Sequence, residues 1–200
     1  MKLALAYPGG ATPLDPNETQ GLKHKHISTQ DELNELEQAN IDQGRLWLSR
    51  LRKPDILTCR FTLEFHKRLF GEVWDWAGTM RRTNKNIGDT NPVDIAVRLQ
   101  NLVNDAKAWI EYETYPAKEA AVIFHHKLVR IHVFPNGNGR HSRLMADALL
   151  EKIFRSPPIG WTLGYELKTN RQRRTQYIAA LKAADQEDYR PLLAFAGIDS

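Results

Sequence analysis

Apolar residues recur at helical spacing along most of the chain. In the first such run, Leu33, Leu36 and Ile41 lie on one face, after Thr29 and Glu32, whose order is typical of a helix start. The pattern predicts helices over residues 30–52, 56–70, 93–112, 117–131, 140–154, 170–184 and 187–197. Because no strands alternate with these helices and no segment is repeated, the expected fold is an all-α helical bundle.

Two stretches interrupt the helical pattern. Residues 1–27 mix Pro, Gly, Thr, Asn and Lys without periodicity, so we expect an N-terminal arm followed by a single domain over residues 28–200. Residues 79–92, TMRRTNKNIGDTNP, are rich in turn formers, which predicts a small two-stranded β-hairpin. This hairpin is the one β element that the pattern predicts.

The composition is that of an ordinary globular domain. The 200 residues are 42% hydrophobic and 26% charged, which suits one well-buried core. The apolar run that opens the chain ends at Pro8, too early for a secretory signal, and no later run approaches the roughly 18 residues of a membrane span. We therefore expect a cytoplasmic protein that has no membrane partner.

The excess of positive charge is small. A formal charge of +4 and a pI of about 9.2 fit a polyanionic partner, but acidic residues are interspersed with the basic ones. The most basic run, residues 168–174 (KTNRQRR), lacks the interleaved aromatic residues of a stacking surface, and we interpret it as the solvated start of a helix. Nucleic acid is therefore not the expected partner.

One segment, HVFPNGNGRHSR from His132 to Arg143, carries the candidate chemistry. Its two Asn-Gly pairs fit a hairpin turn, but amphipathic helices are predicted on both sides, so the element is a helix, a glycine-rich loop and a second helix. Gly137 and Gly139 allow the amides around Asn138 to point into one concavity at the start of the second helix. Such a concavity binds anions.

The charges within this segment support an anion site. Arg140 and Arg143 lie on one face of the first helical turn, where the positive end of the helix dipole disfavours cations. A bound phosphate chain supplies the missing negative charge, so we predict a nucleotide or a similar polyphosphate ligand. His132 precedes the concavity, and an imidazole with the ordinary pKa of about 6.5 suits a general base for a hydroxyl that attacks the phosphate.

The same segment resembles the motif of the Fic family, HxFx(D/E)GNGRxxR. The matching positions are His132, Phe134, Gly137, Asn138, Gly139, Arg140 and Arg143. The preceding VWDWAGTMRRTNKNIG is similar to the family's WAGxxR segment and flap hairpin, and residues 173–197 are similar to its C-terminal helices, so residues 55–197 are covered. The chain also resembles the bacterial subgroup called mobile mystery protein B, which is encoded beside a helix-turn-helix partner.

The resemblance implies transfer of AMP from ATP to a Ser, Thr or Tyr hydroxyl of a target protein. His132 is the implied base, and Arg140 and Arg143 are implied to stabilise the charge of the leaving pyrophosphate. The implied nucleotide-binding residues are Asn136, Gly137, Asn138, Gly139, Arg140 and Arg143. The implied target-binding flap, which clamps the target by strand addition, comprises Thr79, Arg81, Thr83, Asn84, Lys85, Asn86 and Ile87. An antitoxin or a helix-turn-helix regulator is a further implied partner.

Asn136 departs from the family motif, which has Asp or Glu at this position. An amide oxygen coordinates Mg²⁺ or Mn²⁺ without adding charge, so Asn136 is expected to be a weak metal ligand. The alternatives left open are a Doc-like phosphotransferase, another phosphate donor, and a protein that binds a nucleotide without turnover. The inhibitory helix pattern of the family, (S/T)xxxE(G/N), has no full match, and Glu32 and Glu37 are loose candidates for its glutamate.

Overall fold

The computed structural model describes residues 14–85, 91–161 and 171–198, which are mostly helical. The helices are α1 (Pro16–Gln20), α2 (Gln30–Arg50), α3 (Cys59–Phe70), α4 (Ile95–Glu111), α5 (Ala117–Ile131), α6 (Asn138–Leu149), α7 (Arg171–Ala184) and α8 (Arg190–Phe195). A 3₁₀ turn, Pro92–Asp94, leads into α4, and a π-helical turn, Leu150–Phe154, extends α6. Each predicted helical region overlaps one of the helices from α2 to α8, which confirms the helical prediction, although α6 begins two residues before its predicted start. Within the described ranges, no helix is both long and apolar enough to cross a membrane.

Side-chain caps fix the starts of α2 and α3. Thr29 Oγ1 accepts a hydrogen bond from the Glu32 amide at 3.3 Å, and the Glu32 carboxylate accepts one from the Thr29 amide at 3.0 Å. This reciprocal pair is the predicted capping box. At the start of α3, Thr58 Oγ1 accepts a hydrogen bond from the Phe61 amide at 3.1 Å. Both helices therefore begin where a local side chain satisfies an amide that has no partner within the helix.

The helix α5 lies at the centre of the fold. Ala121 and Phe124 are almost fully buried, and the helix contacts α4, α6 and α8. One apolar cluster joins residues of α2 to α6 around Phe65 and Trp74, and a second joins α5 and α6 to α7 and α8 around Tyr177. Because α5 and α6 contribute to both clusters, the loop that connects them is anchored in close-packed protein on two sides.

The predicted β-hairpin is wrong for the residues that the structure describes. Residues 79–85 form no strand, and the Arg81 amide instead donates to the Val133 carbonyl at 2.9 Å. Side chains satisfy the polar groups of this segment: Arg81 Nη1 donates to the Thr83 carbonyl at 2.7 Å, and Thr83 Oγ1 donates to Asp15 Oδ2 at 2.6 Å. Because the Arg81 amide and the Thr83 carbonyl are already bonded, these two backbone groups do not need a partner strand.

The described part of the N-terminal arm packs against the helical body. It contains α1, which the periodicity does not predict and which starts where the Asp15 amide donates to Glu18 Oε2 at 2.8 Å. Leu22 is buried and forms an antiparallel bridge with Trp74, and the Trp76 indole N–H donates to the Glu18 carbonyl at 2.9 Å. The arm is therefore held against the segment that follows α3.

Candidate functional site

The loop between α5 and α6 is shaped by two left-handed residues and one asparagine side chain. His132 ends α5 with a φ of 55°, and Gly137 begins α6 with a φ of 78°. Asn138 Oδ1 accepts a hydrogen bond from the Phe134 amide at 2.9 Å, and Asn138 Nδ2 donates to the Phe134 carbonyl at 2.8 Å. Both polar atoms of the Asn138 side chain are therefore bonded within the loop. The backbone amide of Asn138 lies in the first turn of α6, where a ligand can accept a hydrogen bond from it.

His66 of α3 ties this loop to the segment after α3. Its Nε2 donates to the Asn136 carbonyl at 3.0 Å, and its Nδ1 accepts a hydrogen bond from the Gly78 amide at 3.1 Å. The ring stacks on Phe134 with 3.6 Å between the ring centres. Burial lowers the pKa of His66 well below its usual value, and the neighbouring His141 lowers it further. The ring is therefore neutral, and its hydrogen bonds assign its proton to Nε2.

The two glycines of the loop serve different purposes. A Cβ atom on Gly137 lies 2.8 Å from the Phe70 ring and 3.2 Å from His66 Nε2, and the positive φ there also favours glycine. A Cβ atom on Gly139 meets Arg143 Nη1 at 3.6 Å, which is an ordinary contact. Packing within the described protein therefore requires glycine at position 137 but not at position 139, where the missing side chain leaves space beside Arg143.

Arg140 reaches back from the first turn of α6 to α2. Its Nη1 donates to Glu37 Oε2 at 2.7 Å, and its guanidinium carbon lies 4.7 Å from the centre of the Phe70 ring. The other oxygen, Glu37 Oε1, accepts a hydrogen bond from the Trp74 indole at 2.9 Å. Glu32, the other candidate for an inhibitory glutamate, caps α2 instead. A buried carboxylate from α2 thus contacts an arginine that the sequence assigns to a phosphate.

Arg143 is held by side chains from α5 and α7. Its guanidinium carbon lies 5.3 Å from the centre of the Tyr177 ring. The Tyr177 hydroxyl is hydrogen-bonded to His125 Nε2 at 3.0 Å. Burial raises the pKa of the Tyr177 phenol and lowers the pKa of His125 well below its usual value. Both partners are therefore neutral, and they position the arginine without cancelling its charge.

The imidazole of His132 is buried at the end of α5. Only 4% of the residue is exposed. Burial, assisted by the positive charges of Arg81 and Lys85, lowers its pKa from 6.5 to about 4. The ordinary pKa expected from the sequence is therefore wrong. The imidazole is neutral at mildly acidic and neutral pH, which is the form that a general base requires.

Among the described flap residues predicted from the sequence, Arg81 contacts His132, and Thr83 and Lys85 contact Asp15 and Glu18 at the start of α1. Arg81 is buried, and its Nε donates to the His132 carbonyl at 2.6 Å. Lys85 Nζ contacts Asp15 Oδ2 at 3.2 Å and Glu18 Oε2 at 2.5 Å, so α1 neutralises this lysine. Thr79, Thr83 and Asn84 are exposed, whereas Asn86 and Ile87 lie outside the described residues.

Asn136, the predicted metal ligand, is bonded within the loop. Its Oδ1 accepts a hydrogen bond from the Gly137 amide at 2.6 Å, and its carbonyl accepts the hydrogen bond from His66. Proteins hold Mg²⁺ through one or two carboxylates together with water and substrate phosphates. In the part of the chain that the structure describes, no three His, Cys, Asp or Glu side chains are placed to share an ion. These residues do not fit a metal held by the protein alone.

Three residues that complete the site come from distant helices, and the sequence named only one of them, Glu37, as a loose candidate for the inhibitory glutamate. Glu37, His66 and Tyr177 lie on α2, α3 and α7, respectively. Glu37 had a usable signal, because a carboxylate four residues from both Leu33 and Ile41 interrupts an apolar face. His66 and Tyr177 had none, since a single sequence does not distinguish them from other core residues at helical spacing.

The fold and the site together define a class of helical protein. In this class a glycine-rich loop between two helices places a buried neutral histidine beside a helix start that carries arginines. Residues 56–150 match the model of the Fic/DOC family. The chain therefore contains a Fic/DOC family domain.

Curated relatives and solved structures agree with this assignment. The proteins named Protein adenylyltransferase Fic from Aedes aegypti and Drosophila melanogaster are 31% and 32% identical to this chain over 173 residues. Each alignment covers 82% of this chain and 32% of the relative, so the chain spans about a third of the length of these relatives.

Two solved structures share the fold at low sequence identity. The N-terminal FIC domain of Bep8 from Bartonella sp. 1-1C matches with a TM-score of 0.70 and 16% identity, over 88% of each chain. The BepC protein from Bartonella tribocorum, solved with bound AMPPNP, matches with a TM-score of 0.67 and 17% identity, over 92% of this chain and 98% of that one. The helical fold described above is therefore the fold of a Fic domain.

The Glu37→Gln substitution removes a buried charge and keeps the size of the side chain. Because it leaves the largely buried Arg140 without its anion, we expect thermal melting of the free protein to show a loss of about 3–5 kcal/mol in the free energy of unfolding. The released Arg140 is expected to bind inorganic pyrophosphate more tightly in isothermal titration calorimetry. The exposed Glu35→Gln on the same helix is the control and should change neither quantity. Unchanged pyrophosphate affinity in Glu37→Gln would show that this carboxylate does not compete with an anion.

Proposed function

We propose that this protein transfers AMP from ATP to a Ser, Thr or Tyr hydroxyl of a target protein, with His132 as the general base. The observation that carries the proposal is the meeting, at one helix start, of a neutral buried imidazole, the first-turn amides of α6, and Arg140 and Arg143. A base beside an anion site is suited to deprotonate a hydroxyl that attacks a bound phosphate.

The relatives support ATP as the donor. The insect proteins are named protein adenylyltransferases, an activity that requires a donor of AMP, and the structure of BepC holds AMPPNP. Their names also support a protein as the acceptor. The proposal extends both properties to this chain on the strength of its shared domain and of the site geometry.

In the proposed reaction the target hydroxyl oxygen attacks the α-phosphorus of ATP. His132 accepts the hydroxyl proton while the new oxygen–phosphorus bond forms. The bond from the α-phosphorus to the oxygen that bridges the α- and β-phosphates breaks, and pyrophosphate leaves with that electron pair. The first-turn amides of α6, together with Arg140 and Arg143, stabilise the negative charge on the phosphates.

The loop is proposed to bind the phosphates through its backbone. The side chains of Asn136 and Asn138 are bonded within the loop, and the Gly137 amide is one of their partners, so the amides proposed to contact a nucleotide are those of Asn138 and Gly139. The space beside Gly139 allows a phosphate to approach Arg143 closely. This division explains why both asparagines and both glycines occur in one short segment.

The segment from Thr79 to Lys85 is the proposed contact for the target. Its Arg81 bonds to the His132 carbonyl, so a polypeptide that lies along this segment brings a hydroxyl near the imidazole. The exposed Thr79 and Asn84 are available to it. A target that reaches Thr83 and Lys85 has to displace or extend the contacts of α1.

Replacement of His132 tests the reaction directly. Purified protein is incubated with ATP and Mg²⁺ or Mn²⁺, alone and with host lysate, and products are identified by intact-mass and peptide mass spectrometry. We expect an AMP-sized increment that falls by about 100-fold or more in His132→Ala, because general base catalysis contributes roughly that factor. The exposed His26→Ala is the matched control and should retain the increment.

The size of the increment separates the alternatives. A phosphate-sized increment that depends on His132 would replace the proposal with a Doc-like phosphotransferase. An AMP-sized increment that survives in a folded His132→Ala protein would show that His132 is not the base. The absence of any increment, on the protein itself or on lysate proteins, would contradict AMP transfer and favour a binding protein without turnover.

The buried His132 predicts an unusual dependence of the rate on pH. Its folded-state pKa of about 4 keeps the imidazole unprotonated down to mildly acidic pH. The initial rate of AMP transfer is therefore expected to change by less than about twofold between pH 8 and 5.5, whereas a base with the ordinary pKa of about 6.5 loses roughly nine-tenths of its active form over this range. Circular dichroism at each pH identifies any loss due to unfolding. An acid limb centred near pH 6.5 in a protein that remains folded would contradict this prediction.

The position of Asn136 is proposed to set the dependence on metal. The Asn136→Glu substitution adds the carboxylate that Mg²⁺ prefers, so we expect a higher rate at saturating ATP and a lower Mg²⁺ concentration for half-maximal rate, by about tenfold. The rate is measured across a Mg²⁺ titration for the wild type, Asn136→Glu and Asn136→Gln, which lengthens the side chain without adding charge. An identical Mg²⁺ dependence in all three proteins would exclude a metal-proximal role for this position.

A further inference from the structure

The short helix α1 lies on the segment that is proposed to contact the target. Thr83 Oγ1 donates to Asp15 Oδ2 at 2.6 Å and lies 3.3 Å from Glu18 Oε1. Lys85 Nζ donates to Asp15 Oδ2 at 3.2 Å and also to Glu18 Oε2. One hydroxyl and one ammonium group thus hold two carboxylates, which lie three residues apart on the same side of α1.

The side chain of Lys85 is enclosed by these contacts. Only 3% of it is exposed, compared with 12% of the Glu18 side chain and 42% of the Asp15 side chain. An ammonium group that loses its water needs an anion beside it, because burial otherwise disfavours the charge. In the free protein α1 supplies this anion.

The helix α1 is attached more weakly than the residues that follow it. None of its five residues is buried, and a helix of this length is far below the roughly 12–15 residues that are marginally stable alone. Next along the chain, Leu22 is buried, and the Lys23 amide donates to the Val73 carbonyl at 3.0 Å. The Asp75 amide donates to the Gly21 carbonyl, also at 3.0 Å. Local opening therefore separates α1 from residues 79–85 while the arm stays paired beyond it.

One arginine joins the surface under α1 to the proposed base. Arg81 Nη1 donates to the Thr83 carbonyl at 2.7 Å, and Arg81 Nε donates to the His132 carbonyl at 2.6 Å. The groups that hold the carboxylates of α1 therefore belong to the same short segment as the side chain that fixes the backbone of His132. A polypeptide bound to these groups lies on the side of the site where the base is.

We propose that Thr83 and Lys85 recognise carboxylates of the target protein, and that Asp15 and Glu18 occupy this surface in the free protein. The inference rests on the proposed function and names the chemical class of its target, an acidic segment that carries the modified hydroxyl. The charge of Lys85 favours such a segment and disfavours a basic one. The helix α1 is then an intramolecular competitor, which an acidic target displaces.

The double substitution Asp15→Asn/Glu18→Gln removes the charges of α1 and keeps its local caps. Asn is as good an N-cap as Asp, and Gln replaces Glu in capping boxes. Because the charged hydrogen bonds to Lys85 are lost, we expect hydrogen exchange of the full chain, followed by mass spectrometry, to be about 10-fold faster in residues 17–20. Exchange in residues 21–24 should not change.

A matched variant controls for the loss of two negative charges. Glu35→Gln/Asp105→Asn removes two exposed acids from α2 and α4 and should exchange as the wild type does in residues 17–20. Exchange of α1 that is equally slow in both double variants would show that its carboxylates do not hold it, and would overturn the inference.

A peptide of residues 14–20, LDPNETQ, probes the surface directly. In NMR titrations of Asp15→Asn/Glu18→Gln we expect this peptide to bind about 10-fold more tightly than the same peptide with both acids replaced by their amides. The wild type should bind it more weakly, because its own α1 competes at a high effective concentration. Adding Lys85→Met should remove the preference for the acidic peptide, whereas adding the exposed Lys53→Met should retain it. Equal binding of the two peptides, or no binding of either, would overturn the inference.

AMP transfer to lysate proteins provides the functional readout. At low target concentration we expect Asp15→Asn/Glu18→Gln to modify its targets about 10-fold faster than the wild type, because the target no longer competes with a charged α1. A folded double variant that is no faster than Glu35→Gln/Asp105→Asn would contradict the competing role of α1. Absence of AMP transfer by every variant and by the wild type would instead refute the proposed function, and a preference for the acidic peptide that depends on Lys85 would still support the acid-binding surface.

Discussion

The neutral ring of His66 is the contact on which the site depends. The loop after α5 is buried, so its backbone polar groups need partners inside the protein. One imidazole supplies two of them, donating to the Asn136 carbonyl and accepting from the Gly78 amide. The stacking of the imidazole on Phe134 holds the ring in the orientation that these two hydrogen bonds require. Protonation or loss of this ring removes both of these hydrogen bonds, which leaves the motif loop joined to the following segment through the contacts of Arg81 with His132 and Val133.

The arginines of the motif are held at a helix start, where the dipole disfavours them. The protein resolves this conflict differently at each one. A buried carboxylate, Glu37, neutralises Arg140, whereas the Tyr177 phenol orients Arg143 and leaves its charge intact. The free protein therefore keeps net positive charge at α6, which is what a polyphosphate ligand needs. Local violations of helix preferences are expected where binding, rather than stability, determines the residues.

Periodicity and capping residues were sufficient to predict α2 to α8, because each of these helices has a continuous apolar face. They failed for the hairpin, since the Arg81 amide bonds to the Val133 carbonyl, the Arg81 guanidinium bonds to the Thr83 carbonyl, and the Thr83 hydroxyl bonds to Asp15. The motif residues were predictable because they are contiguous. Their partners were not predictable. Arg140 and Glu37, for example, are 103 positions apart in the sequence, and they meet only because of the way α2 packs.

Burial of histidines links the stability of this fold to its chemistry. Burial lowers the pKa of His66 and His125 well below the usual value, that of His132 to about 4 and that of His141 to about 3. The unfolded chain binds protons on these residues near pH 6.5 and the folded chain does not, so each one removes up to about 1.4 kcal/mol of stability per pH unit below that value. Asp147 acts in the opposite direction, since burial raises its pKa to about 6 and the folded state takes up its proton first. The burial that keeps His132 unprotonated as a base at mildly acidic pH is therefore also what weakens the fold there.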